Sequence, residues 1–361
     1  LEAREAPAPQ RIDAETRAAL VLAVTANVPK ERSLELFQHA AQQAREMPDL
    51  RLRANMLAAL AHGLARLGEQ DWARRLMDQA LGAARAMEPG APQAVTLAAL
   101  AGQEATWGDV ARAERVAREA LGACQAAARS SDRAEARLAT AEALQVLGDE
   151  EGARSCLAAA LDDMESMSAA EVATSNALAR AARLNVRGGE AERLTRLLEG
   201  LRPRVLQLHH RDREEGLLSL MRAHLALGQI PAARELLELA RGSVARSWGM
   251  GYLARALVRQ APDEALAWLR RIPLLEERMR VVRECALEVM HDTLPSHRPQ
   301  VLSTLAELTL LAVEDEETAD FLASRWVTLT QDRRVIVEIL RKIGWPVEEI
   351  AAGRRPEAAE G

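Results

Sequence analysis

Ala54-Asn55-Met56-Leu57-Ala58-Ala59-Leu60-Ala61-His62-Gly63-Leu64-Ala65-Arg66-Leu67-Gly68, followed by Glu69-Gln70-Asp71-Trp72-Ala73-Arg74-Arg75-Leu76-Met77-Asp78-Gln79-Ala80-Leu81, is the stretch that decides the fold. It reads as a helix, a glycine turn and a second helix. Alanine and leucine, both strong helix formers, fill it. A glycine that ends a helix is there for the left-handed backbone, where a β-carbon costs on the order of 1 kcal/mol. Gly68 is one of a series. Gly108, Gly148, Gly188 and Gly228 follow at equal intervals. A fixed period of about 40 residues predicts an α-solenoid of stacked helix pairs. Val28-Pro29 falls one step before Gly68, and a proline suits the first turn of a following helix.

Columns read at this period sharpen the prediction. Nine residues before each turn stand Ala19, Ala59, Ala99, Ala139, Ala179 and Ser219, all small. Five after it come Ser33, Ala73, Ala113, Ala153, Arg193 and Ala233; twelve after it come Ala40, Ala80, Ala120, Ala160, Gly200 and Ala240. Small residues at fixed helical positions let two axes approach, and the leucines beside them (Leu81, Leu121, Leu161, Leu201) fill the seam. Prolines or polar clusters divide the units, with Asp132 and Asp212 as expected N-caps. After Gly228 the period breaks: the next turn is expected near Gln260, short of a full step.

The order Leu60-Ala61, Gly68, Ala73, Met77, Ala80-Leu81 resembles a tetratricopeptide (TPR) repeat over about Asp13 to Arg241. Two departures are plain. The standard repeat is shorter, at about 34 residues. Its aromatic positions are here mostly Leu, Ala or Met. The longer unit is similar to those of kinesin light chains and MalT-like sensor arrays. The resemblance implies an all-α fold, a right-handed α-solenoid of helix-turn-helix repeats with a divergent helical C-terminal cap. The expected organisation is a flexible lead-in over 1–12 and a repeat array over 13–273, with turns near 28, 68, 108, 148, 188, 228 and 260. A divergent helical region follows over 274–352, with helices at about Leu275–His291, Arg298–Val313, Glu316–Thr330 and Asp332–Ile343. A disordered tail covers 353–361.

Composition excludes several classes. The net charge is -6 with both signs mixed, which argues against a nucleic-acid binder. No apolar run approaches the roughly 18 residues of a membrane span. Cys124, Cys156 and Cys285 are odd in number and far apart, with no C-x-x-C, so buried free thiols are expected. These features predict a cytoplasmic protein. The first residue is Leu1, so a truncated or processed N-terminus is expected.

No catalytic motif stands out. Gly249-Met250-Gly251-Tyr252-Leu253-Ala254 has the letters of a dinucleotide fingerprint but lies in helical surroundings, where a shortened turn and close helix packing explain both glycines. His209-His210 with Asp212 lacks the i, i+4 spacing of a helical metal site. The acidic run Glu314-Asp315-Glu316-Glu317 suits a helix start. No cofactor, metal or catalytic residue is therefore expected.

Binding remains. In TPR arrays the first helices line the concave surface, and the resemblance implies that Asn55, His62, Leu138, Glu142, Gln145, Leu178, Asn185, Leu218, Arg222 and Leu225 face it. The expected partner is another protein, supplying a peptide or an amphipathic helix, and the expected function is a non-enzymatic scaffold or adaptor. The alternative is a sensor or regulatory module of a larger signalling protein that binds a small ligand or peptide.

Overall fold

The computed structural model describes residues 30–185, 190–290, 298–312, 315, 318–319 and 321–322. The expected elements at Asp13–Pro29, Gly188 and 323–361 lie outside these residues. All secondary structure among the described residues is helical, as the composition requires. The fold is an α-solenoid of helix-turn-helix repeats. Two compact units divide it, Leu1–Leu201 and Arg202–Gly361.

In the first unit α1 (Lys30–Glu46) precedes three helix pairs. These are α2 (Leu50–Arg66) with α3 (Gln70–Arg85), α4 (Ala91–Thr106) with α5 (Val110–Cys124), and α6 (Ser130–Leu147) with α7 (Glu150–Glu165). The next repeat begins with α8 (Ala169–Thr174) and α9 (Ala177–Asn185), and α10 (Ala191–Leu206) crosses the division between units. Each pair packs on itself, and α2, α4, α6 and α9 also pack on one another in sequence. In the second unit α11 (His210–Ala226) pairs with α12 (Ile230–Leu239), and α13 (Ser243–Leu257) with α14 (Pro262–Arg271). Helices α15 (Leu275–Met290) and α16 (Arg298–Leu311) follow, and α11, α13 and α15 stack in the same manner.

The turn glycines do what their spacing predicts. Gly68, Gly108, Gly148 and Gly228 have φ of 84°, 85°, 79° and 73°. Each closes a Schellman motif. Gly68 N donates to Ala65 O (3.1 Å) and Glu69 N to Leu64 O (3.0 Å); Gly148 N and Asp149 N repeat this on Gln145 O (3.1 Å) and Leu144 O (2.9 Å). Where aspartate follows the glycine it also caps the next helix: Asp109 accepts from Arg112 N (3.1 Å) and Asp149 from Gly152 N (2.9 Å). The two small-residue columns after the turn lie mostly in the core: Ser33, Ala73, Ala113, Ala153 and Ala233 are buried, as are Ala40, Ala80, Ala120, Ala160 and Ala240, while Gly200 is exposed. In the column nine before the turn Ala139, Ala179 and Ser219 are buried, Ala59 is half-buried and Ala99 exposed.

A further column emerges fifteen residues before the turns at Gly68, Gly108 and Gly148. Arg53 donates to Met47 O, Gln93 Nε2 to Ala84 O, Arg85 O and Met87 O (3.0–3.3 Å), and Arg133 Nη1 to Ala127 O and Ala128 O (3.2 and 3.0 Å). In each case a side chain near the start of a first helix satisfies the orphan carbonyls at the end of the preceding second helix. Adjacent repeats are thereby held in a fixed relation.

Three local expectations are corrected. Asp132 and Asp212 sit within the first turns of α6 and α11, and the N-cap positions are Arg129 and His209. The first helix of the fifth repeat is broken at Ser175 and Asn176, because Glu135 on α6 accepts from Ser175 Oγ (3.1 Å) and Asn176 N (3.2 Å). Gly249 and Gly251 lie within α13 rather than in a turn. A β-carbon at Gly249 would stand 2.6 Å from Leu237 Cδ1, and one at Gly251 2.7 Å from Val281 Cγ2. Close packing therefore accounts for both glycines.

Candidate binding surfaces

The residues expected to line a groove separate into distinct environments. On α2, Asn55 and His62 are exposed. Ala99 on α4 is exposed too, and Gly102 beside it has open space where a side chain would stand. This face of small residues with polar flanks is shared by adjacent, mutually packed helices.

Leu138 and Leu178 are 0% exposed and Leu218 8%, so they belong to the core and offer a partner almost no surface. Their neighbours Ala139, Ala177, Ala179, Leu217 and Ser219 are buried as well, so this part of each first helix is packed on both sides. Glu142 is half-buried and committed: Arg180 grips it through Nε (2.7 Å) and Nη2 in a bidentate pair. Gln145 is half-buried and lines a hollow of about 130 Å³ with Leu157 and Leu184. The Asn185 side chain lies outside the described residues. In the second unit Leu225 is half-buried, and Arg222 lies over the Tyr252 ring at 5.6 Å.

The second helices carry a feature that turn-by-turn reading misses. Successive second helices are bridged by long polar side chains at matching positions. Arg45 donates to Gln79 (2.9 Å) between α1 and α3. Between α3 and α5, Arg85 pairs with Glu119 (2.8 and 3.0 Å) and Arg112 with Asp78. Between α5 and α7 both rungs are missing, because Gln125 and Ala159 stand where Arg85 and Glu119 do, and Arg118 and Gly152 where Asp78 and Arg112 do. A cleft of about 510 Å³ opens at this interruption, lined among others by Arg118, Leu121, Arg137, Leu144, Cys156 and Ala159.

Arg137 breaks a core column of the described repeats. Eleven residues before the turn the other described repeats have Leu57, Leu97, Ala177 and Leu217, all buried, and the sequence has Arg17 at the same place before Val28. Asp163 breaks another, where Ala83 and Ala123 are the counterparts. The two exceptions meet: Arg137 Nη1 donates to Asp163 Oδ2 (2.5 Å) and to Ala159 O (2.7 Å), while Arg133 Nε donates to Asp163 Oδ1 (2.9 Å). The aspartate is nearly sealed from water, so its charge requires these partners. A column-by-column search for charges among aliphatics would have found Arg137 from the sequence.

The three cysteines are free and buried. Burial pushes the Cys156 thiol up to about 11 and Cys285 up to about 12, and it raises Cys124 as well. Thiols held protonated are poor nucleophiles and poor metal ligands. Among the described residues no cluster of three or more His, Cys, Asp or Glu side chains could hold a metal ion, and no helix is long and apolar enough to cross a membrane.

No family model matches the chain, and no curated protein matches it. Among solved structures the chain is similar to the crystal structure of Ton1535 from Thermococcus onnurineus NA1, with 16% identity, 94% of this chain and 92% of that chain covered, and a TM-score of 0.36. It is also similar to a circular tandem repeat protein with novel repeat topology and enhanced subunit contact surfaces, with 18% identity, 93% and 79% covered, and a TM-score of 0.25. Neither score is high enough to bear on function.

Proposed function

We propose that the chain is a non-enzymatic scaffold of the TPR type, which holds a peptide or helix of a partner protein on the solvent face of its first helices. The observation that carries this reading is the stacking of α2 directly on α4, with Asn55, His62 and Ala99 exposed along them. Small side chains there allow a partner helix to approach closely, and polar flanks supply orientation. Leucines 138, 178 and 218 have no part in it, because they hold the repeats together.

The test is site-specific photo-crosslinking. A benzophenone side chain at Ala99 should capture a discrete partner, whereas one at Arg75, exposed on the second helix α3, should not. Ala99→Glu should then weaken recovery of that partner with the melting temperature unchanged. Equal capture from both positions, or recovery indifferent to Ala99→Glu, would overturn the reading.

A further inference from the structure

We propose that the cleft between α5 and α7 is a binding site for a small amphipathic carboxylate, with Arg137 holding the carboxylate and Leu121 and Leu144 holding its apolar body. This site is separate from the first-helix face and does not depend on it.

The argument begins with Arg137. An arginine in a column of aliphatic core residues carries a desolvation cost that packing alone gives no reason to accept. Its partners occupy only one nitrogen: Nη1 donates to both Asp163 and Ala159 O. The opposite edge, Nε with Nη2, takes no acceptor among the described residues and is not sealed in the interior. That edge is the fork that matches a carboxylate through two parallel hydrogen bonds. The same protein uses it so in the next repeat, where Nε and Nη2 of Arg180 grip Glu142.

Arg133 and Arg137 share one aspartate, Asp163. Of the acids lining the cleft, Glu114 pairs with Arg118 (3.3 Å), and Asp149 is turned to the α7 N-terminus, where it accepts from Gly152 N (2.9 Å); neither accepts from Arg137. A volume of about 510 Å³ is in the range of small-molecule pockets. Half-buried Leu121 and buried Leu144 give it an apolar wall. The space exists because both polar rungs between α5 and α7 are absent, so the site and the gap in the ladder have one origin.

Octanoate serves as the probe, in isothermal titration of the whole chain, with octanol and octylammonium as controls. Wild type should bind octanoate, with octanol at least about tenfold weaker and octylammonium not binding. Two double variants follow from the repeat itself. Arg137→Leu with Asp163→Ala brings in the residues of the two preceding repeats (Leu57 and Leu97, Ala83 and Ala123), and Gln125→Arg with Ala159→Glu rebuilds the missing rung on the Arg85–Glu119 pattern. Both should melt cooperatively and both should weaken octanoate by about tenfold or more. Ala99→Glu should leave it unchanged, which separates this site from the partner face. Absence of octanoate binding by wild type, octylammonium binding as tightly, or unchanged octanoate affinity in either folded double variant would overturn the proposal.

Discussion

Glu104 shows how a single side chain couples folding to pH. It lies on α4 with its carboxylate nearly sealed, 2.8 Å from Arg112 Nε. Burial nevertheless raises its pKa above the ordinary carboxylate value, outweighing the lowering by Arg112, while Asp109 and Asp78 add to the rise. A carboxyl whose folded pKa is raised favours folding least when it is ionised. Below its unfolded pKa of about 4.3 both states are protonated and no penalty exists; the penalty grows as pH rises and levels off above the folded pKa. Glu104→Gln should therefore match wild type in urea midpoint near pH 3 and exceed it near pH 7. A variant less stable than wild type at pH 7 would show that the Arg112 attraction dominates instead.

At the scale of elements, the joints between repeats rest on side chains that reach back to the preceding helix. Gln93 is buried, and its amide serves carbonyls at the end of α3. Gln93→Ala removes that donor and leaves the carbonyls to find water in a packed joint, a loss of about 1–3 kcal/mol. Urea denaturation followed by circular dichroism measures it. An exposed control on the same helix, Ala99→Ser, should change stability by less than about 0.5 kcal/mol. Equal effects at both positions would refute the reach-back role. The periodic column Arg53, Gln93, Arg133 is visible in the sequence once its purpose is known. Its purpose is not visible, since the carbonyls it serves belong to the preceding second helix.

At the scale of the whole molecule, the fixed period has a mechanical consequence. Repeat arrays take their stability from each unit and its nearest neighbours, so removal of one whole period leaves every remaining helix with a neighbour of the right kind. Deleting the full period 109–148 joins Gly108 to Asp149 and recreates the Gly-Asp turn already present at Gly108-Asp109. The shortened chain should keep its fractional helicity and unfold cooperatively at a lower temperature. Deleting only 115–148, a segment of the standard TPR length of about 34 residues, cuts α5 short and should lose cooperativity. Identical melts for the two deletions would remove the period's structural meaning.

The chain alone determined the all-α class, the four observed turns and the small-residue columns, because each is written in local backbone preference and helical spacing. A glycine at φ near +80° and an alanine between two close axes are legible without neighbours. The tertiary structure alone decided which of the expected face residues are exposed and which are buried. Leu138, Leu178 and Leu218 entered the core, and Glu142 was taken by Arg180, through contacts with helices one repeat away or more. The cleft is of the same kind. Its residues were in plain sight as Arg137, Gln125 and Ala159, but a missing rung acquires meaning only where two second helices lie side by side and the rungs of the neighbouring repeats can be seen.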